Sequence, residues 1–307
     1  MISRRNIRIK VMQTLYALES GDQAYSPEEL VKILQKHFTQ TRQLFVYLIY
    51  FITELALYAE TDSRVRLGKH LPTDADRNIN TKLAGNDLVQ RILLDPSFQK
   101  AIKADKPQLL NNADLVRKIY NELVETDEYK KYILISERDK RSEKEIIEFI
   151  FSNILLVSET FEAYVEDSFT NWSDDLDLMI QLLPGYFSKP QSVDLQEILS
   201  KEKWDFAKNL VLSVQEKKEL TMELIKPKLK NWDADRIAVL DMILMRMGVC
   251  EFLFFETIPP KVTINEYIDL AKEYSTQQSG QFVNGILDNI HKDLLRENKL
   301  HKVSYKN

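Results

Sequence analysis

Arg4, Arg5, Arg8 and Tyr16 are the first residues of this 307-residue chain whose types could do chemistry together. On a helix advancing ~100° per residue, Arg5, Arg8, Met12 and Tyr16 fall in one stripe beside an apolar face. Guanidinium groups grip phosphate through paired N–H donors, and a phenol ring offers a face on which a base can stack. A solvated face with Tyr16 at the edge of the core is the other reading of that stripe. A second set lies in KVTINEYIDLAKEYSTQQSGQFVNGILD at 261–288. There Lys261 stands near a helix end. Phe282 sits at the rim of the apolar stripe Val283, Ile286, Leu287, Ile290 and Leu294, and Asn284 points away from it. A binding surface would use such residues, and an ordinary surface helix also contains them. A third set is Arg236, Asp241, Arg246 and Glu251, in a run from Asp235 to Phe255 that is otherwise almost wholly apolar. Their spacing prevents good pairing within one helix, so each charge needs a partner in the core, on another protein or on RNA.

These residues require helices to hold them. Gly (7 residues) and Pro (9) are scarce, and Leu, Ile, Lys and Glu are abundant, which argues for an all-α fold. Residues 3–20 read as an amphipathic helix with Ile7, Val11, Leu15 and Leu18 on its core face, ended by Gly21 and Asp22. A short helix follows over 26–38, with Ser26 as N-cap and Pro27 in first position, and then a very apolar one over 40–66. Residues 67–112 read as loops with one or two short helices. Helices resume at 113–135 and 142–170, and PGYFSKPQSVD at 184–194 reads as a linker. The last helices are expected at 202–228, 233–255, 264–275 and 279–296. Thr263 and Glu266 have capping-box spacing after Pro259 and Pro260. Gly285, inside a helix, costs ~1 kcal/mol against Ala, which close packing on the first helix would offset. Asn171-Trp172 and Asn231-Trp232 each follow an amphipathic helix, a hint of duplication.

Net charge is −5, so the chain as a whole is not a basic nucleic-acid binder. Its ends differ: residues 1–10 carry four cations and no acid, and 297–307 form a basic tail. Charges within a Debye length, ~8 Å, decide what a phosphate feels, so a local patch can still bind RNA. The single Cys250 allows no disulfide within the chain and suits a reducing, cytoplasmic setting. The apolar run Leu44–Leu57 is shorter than the ~20 residues of a membrane span and contains Glu54, so a buried helix is expected and no membrane partner. No secretory signal is visible. The sequence has no Gly-rich phosphate loop, no nucleophile elbow, and no Cys or His at metal-ligand spacing. No catalytic residue, cofactor or metal is expected, and an enzyme reading has nothing to rest on.

Several segments together resemble the NusB family of transcription antitermination factors. They are RRNIRIKVMQTLY at 4–16, WDFAKNLVLSVQEKKELTMELIKPKL at 204–229, NWDADRIAVLDMILMRMGVCEF at 231–252, and IPPKVTINEYIDLAKEY through SGQFVNGILD at 258–288. The resemblance covers 1–20 and 200–296 and leaves 21–199 as a mostly helical insertion. It implies a fold of two small helical bundles. It also implies pairing with NusE, a protein that serves in the small ribosomal subunit. The pair would bind boxA-like single-stranded RNA in ribosomal RNA leader transcripts. With other Nus factors on RNA polymerase it would suppress termination. Arg4, Arg5, Arg8, Tyr16, Arg246 and Phe282 match the family's RNA-side positions, with Lys261 and Asn284 as neighbouring candidates. Asp241 falls where the family presents an acid to NusE. Asn6 interrupts the family's Arg run, and Gln278 stands where a bacterial relative carries Asp. The competing reading is a helical adaptor in transcription or ribosome assembly that binds protein without RNA.

Overall fold

The computed structural model describes residues 2–19, 21, 25–71, 73–77, 79–229 and 237–303. Among them no strand occurs. Helix α1 (Arg4–Glu19) starts where Ser3 and Asn6 cap each other: the Ser3 amide donates to Asn6 Oδ1 at 3.1 Å and the Asn6 amide to Ser3 Oγ at 3.2 Å. Asn6, the residue that interrupts the Arg run, thus satisfies a donor that a helix start leaves open. Ile7, Val11, Met12 and Leu15 are buried beneath α1.

Helix α2 (Pro27–Leu67) opens on a reciprocal box between Ser26 and Glu29, whose amides donate to each other's side chains. It runs unbroken where two helices are expected. The polar Thr39-Gln40-Thr41 suggests a break, but Phe38 and Thr41 are buried and the Thr41 hydroxyl donates to Asp175 at 2.8 Å. α2 is also long and apolar enough to cross a membrane, so length does not argue against a span as the sequence suggests. Its most apolar window is 67% buried inside the structure, as in a core helix.

The chain divides into two compact units. One is Phe38–Ile198; the other joins Ile2–His37 to Leu199–Asn307. The first unit contains α3 (Asp74–Arg77), α4 (Asp87–Leu93), α5 (Pro96–Asp105), α6 (Ala113–Glu125), α7 (Asp127–Leu134), α8 (Lys140–Phe149), α9 (Glu159–Ser168) and α10 (Trp172–Ser188). The side chains of Asn86, Asp95, Asn112, Thr126, Asp139 and Ser158 each cap the helix that follows. Within 67–112, read as loops with one or two short helices, the Asn86 and Asp95 caps open α4 and α5. A π-turn at Ile150–Leu155 carries α8 on toward α9. Pro184 and Gly185, read as the start of a linker, lie inside the last turn of α10, because burial of Leu183, Tyr186 and Phe187 holds that turn in place.

The second unit adds α11 (Lys201–Glu216), α12 (Lys218–Ile225), α13 (Val239–Phe254), α14 (Pro260–Tyr274) and α15 (Ser279–Arg296). α13 is the central element, packed by α1, α11, α12, α14 and α15. A Cβ on Gly248 would lie 2.9 Å from Leu287 Cδ2, so glycine lets α15 approach α13 closely. The expected capping box is not one. α14 already begins at Pro260, Thr263 is buried in its first turn, and the Thr263 hydroxyl donates to Glu251 at 3.0 Å. The expected packing at Gly285 is also absent: a Cβ there would meet nothing within 4 Å. Asn231-Trp232, half of the possible duplication, and Arg236 lie outside the described residues.

Candidate nucleic-acid interface

Within the second unit, α1 presents its arginines at three depths. Arg4 is the outermost. It pairs with Glu202 at 2.9 Å, and its guanidinium lies 5.6 Å from the Phe206 ring centroid. Arg5 is half-buried and reaches two acids of α14, Glu273 at 2.6 Å and Glu266 at 3.9 Å. Arg8 is 2% exposed. It donates from Nε to Glu251 Oε1 at 2.6 Å and from Nη2 to Oε2 at 3.1 Å, with Glu266 at 3.3 Å. Burial works against its charge, but the hydrogen bonds and field of Glu251 outweigh that and hold Arg8 firmly protonated.

Glu251 is fully buried and also accepts from Tyr267 Oη at 2.8 Å and from Thr263. Burial first, and then the Glu251 charge, push the Tyr267 phenol well above its ordinary range, so it stays a donor. The carboxylate is thereby satisfied on both oxygens, as a buried charge must be. Arg246 is 1% exposed; it pairs with Glu19 and donates to the Val214 carbonyl at 2.7 Å. The charges of α13 therefore do find partners on other elements of this unit: Glu251 in the core, and Arg246 on Glu19 at the exposed end of α1. Burial pushes the Cys250 thiol up to about 12, which leaves it an inert core residue.

An open groove of ≈ 690 Å³ lies between the start of α13 and the start of α15. Asp241, Gln278, Phe282, Gly285 and Asn289 line it. Asp241 is 6% exposed; its Oδ2 accepts from Ser279 Oγ at 2.8 Å, and its Oδ1 is buried without a hydrogen-bond partner. The Asp241 carboxylate is thus half-satisfied, a costly state for a buried charge. Phe282 is half-buried, and the missing Cβ of Gly285 keeps the groove open.

The NusB family model matches residues 185–292. A transcription antitermination protein NusB of Finegoldia magna is 40% identical over 106 residues, which are 34% of this chain and 73% of that protein. The chain belongs to the NusB family. The NusB of Salinibacter ruber is 44% identical over 98 residues and that of Methylacidiphilum infernorum 48% over 80. The chain spans 61% and 56% of the lengths of those two relatives. A solved structure of T. maritima NusB has 38% sequence identity, covers 33% of this chain and 73% of its own, and has a TM-score of 0.30.

Against the positions that the NusB resemblance marks, the structure sorts the residues by access. Arg4, Tyr16, Lys261 and Asn284 are exposed, Tyr16 at 48%, and Arg5 and Phe282 are partly so. Arg8 and Arg246 are not presented to solvent: each is turned inward onto a glutamate. Phe282 and Asp241 share the groove, whereas Arg5 and Arg8 converge on Glu266. Of the acids that answer α1, Glu202 and Glu273 are absent from the sequence-based candidates, and Glu266 is read there only as a capping-box partner. Glu251 alone carries a signal in the sequence, as a charge inside an apolar helix. The basic tail is partly folded back. Lys302 donates to the carbonyls of Glu251 at 2.8 Å and Phe255 at 2.7 Å, capping the C-terminus of α13.

Proposed function

We propose that this chain is a non-catalytic transcription antitermination factor. In this reading it holds boxA-like single-stranded RNA of ribosomal RNA leaders together with NusE, on RNA polymerase with other Nus factors. Kinship with antitermination proteins named NusB carries the proposal, because the shared stretch takes in the whole groove from Asp241 to Asn289. Arg4, Arg5 and Lys261 are the phosphate contacts, Tyr16 and Phe282 the stacking surfaces, and Asn284 a base-edge contact. Arg8 and Arg246 act at one remove, fixing α1 and α13 so that the outer residues stand in place. Asp241 offers its unpaired oxygen to a donor on NusE.

One observation favours a protein-only adaptor. Arg4 and Arg5 already face Glu202, Glu266 and Glu273, so an RNA phosphate must compete with three carboxylates for them. That competition predicts weak RNA binding by the chain alone and a strong gain when a basic partner is present. Fluorescence titration of a boxA-like RNA, with and without the NusE of the same organism, separates the two readings. Antitermination predicts binding that NusE strengthens. No RNA binding in either condition, with NusE still retained, leaves the adaptor.

A further inference from the structure

Arg5 of α1 lies across two carboxylates of α14, Glu266 and Glu273, which helical spacing places on one face two turns apart. Arg5 Nη2 donates to Glu273 Oε2 at 2.6 Å, and Nη1 lies 3.9 Å from Glu266. The two acids are not equivalent. Glu266 is also 3.3 Å from Arg8, a buried cation fixed by Glu251, so it keeps a partner if Arg5 leaves. Glu273 has Arg5 as its one ion-pair partner among the described residues.

Burial separates the two arginines in the same way. The Arg5 and Glu273 side chains are 34% and 39% exposed, against 3% and 0% for Arg8 and Glu251. Breaking the Arg8–Glu251 pair would strand a buried charge, which is costly. Breaking the Arg5–Glu273 pair strands none, because water solvates the freed carboxylate and an exposed pair is worth little. Arg5 can therefore change partners cheaply. The Arg4–Glu202 pair is more exposed still and restrains Arg4 less.

A guanidinium that faces a carboxylate offers the same N–H donors to a phosphate. We propose, resting on the RNA-binding reading above, that Glu273 is an internal competitor for the phosphate that Arg5 holds. In the free chain Glu273 occupies the guanidinium. In the complex Arg5 gives up Glu273 for the phosphate, while Glu266 stays with Arg8 and keeps α14 joined to α1. The competition lowers affinity for every polyanion, so chance contacts are suppressed and only a ligand with further contacts overcomes it.

The test titrates a fluorescent boxA-like RNA with the full chain, with the NusE of the same organism present. Glu273→Gln is expected to tighten binding by roughly two- to five-fold at low salt, the worth of an exposed pair. The gain should fade as salt rises, because salt already weakens the competing pair in the wild type. In an Arg5→Ala background Glu273→Gln should gain little or nothing, which a double-mutant cycle reads as coupling. Asp269→Asn removes the same charge from another exposed position of α14, one paired with Lys272 and not with Arg5, and should change binding little. An equal gain from Asp269→Asn, or an undiminished gain in the Arg5→Ala background, would reduce the effect to overall charge and overturn the proposal. Binding that Arg5→Ala weakens and Glu273→Gln leaves unchanged overturns it too, with the RNA-binding reading intact. No RNA binding by the wild type, with or without NusE, removes that reading and the proposal with it.

Discussion

Arg8 and Glu251 neutralise each other inside the core of the NusB-like unit, Arg8 from the start of the chain and Glu251 from near the end of α13. The pair ties α1 to the central helix, and Tyr267 and Thr263 of α14 complete it. Removing one partner leaves an uncompensated buried charge. Arg8→Ala is therefore expected to destabilise the unit by about 3–5 kcal/mol. Adding Glu251→Gln should recover part of that loss, a coupling read from a double-mutant cycle in urea. Equal, additive losses would show that the two residues act independently.

Arg4 and Arg5 should behave differently, because their pairs are partly exposed. Arg4→Ala and Arg5→Ala are expected to change stability by no more than about 1 kcal/mol. If they contact phosphate, each should weaken RNA binding in the presence of NusE. Each should also reduce the slope of log K against log salt by roughly 0.7 for a single strand. An unchanged slope in both variants would remove them from the interface.

The two glycines at the α13–α15 contact and in the groove have opposite expectations. Gly285→Ala puts a methyl into open space, so it should raise stability by about 1 kcal/mol through helix propensity. The same methyl narrows the groove, so ligand affinity should fall while stability rises. Gly248→Ala drives a Cβ to 2.9 Å from Leu287 and should lower stability, because overpacking of about 1–3 kcal/mol exceeds the propensity gain. Urea midpoints for both variants test the pair.

His291 sets a pH dependence. Its ring lies 5.7 Å from that of Phe252; burial, aided by Lys292 and Lys302, lowers its pKa below the ordinary 6.5 despite Asp288. The unfolded chain therefore takes up the proton first as pH falls. The contribution is fully present above about 6.5 and is lost as pH drops through the folded value. The unfolding midpoint of the wild type should fall between pH 7.5 and 5.5, and His291→Gln should remove that share of the fall.

Periodicity and caps made much of the helical framework readable. The bounds of α15, the Ser26–Pro27 start of α2 and the core face of α1 follow from local patterns that each segment carries itself. The motif from Val262 to Asp288 likewise announced the family. Local signals misled where long-range burial overrode them: α2 continues through polar residues because Asp175 answers Thr41, and α10 continues through Pro184 because its neighbours are buried. The T-x-x-E spacing looked like a cap, but Thr263 is spent on a glutamate of another helix.

By itself, then, the sequence determined that this protein is all-helical and belongs with NusB, because helix periodicity and short motifs are encoded within single segments. It marked α13 as a helix whose charges need partners elsewhere. Only the tertiary structure decided which arginines face out. Arg4, Arg5 and Arg8 are alike in a one-dimensional pattern, and their depth depends on Glu202, Glu266, Glu273 and Glu251, which arrive from far along the chain.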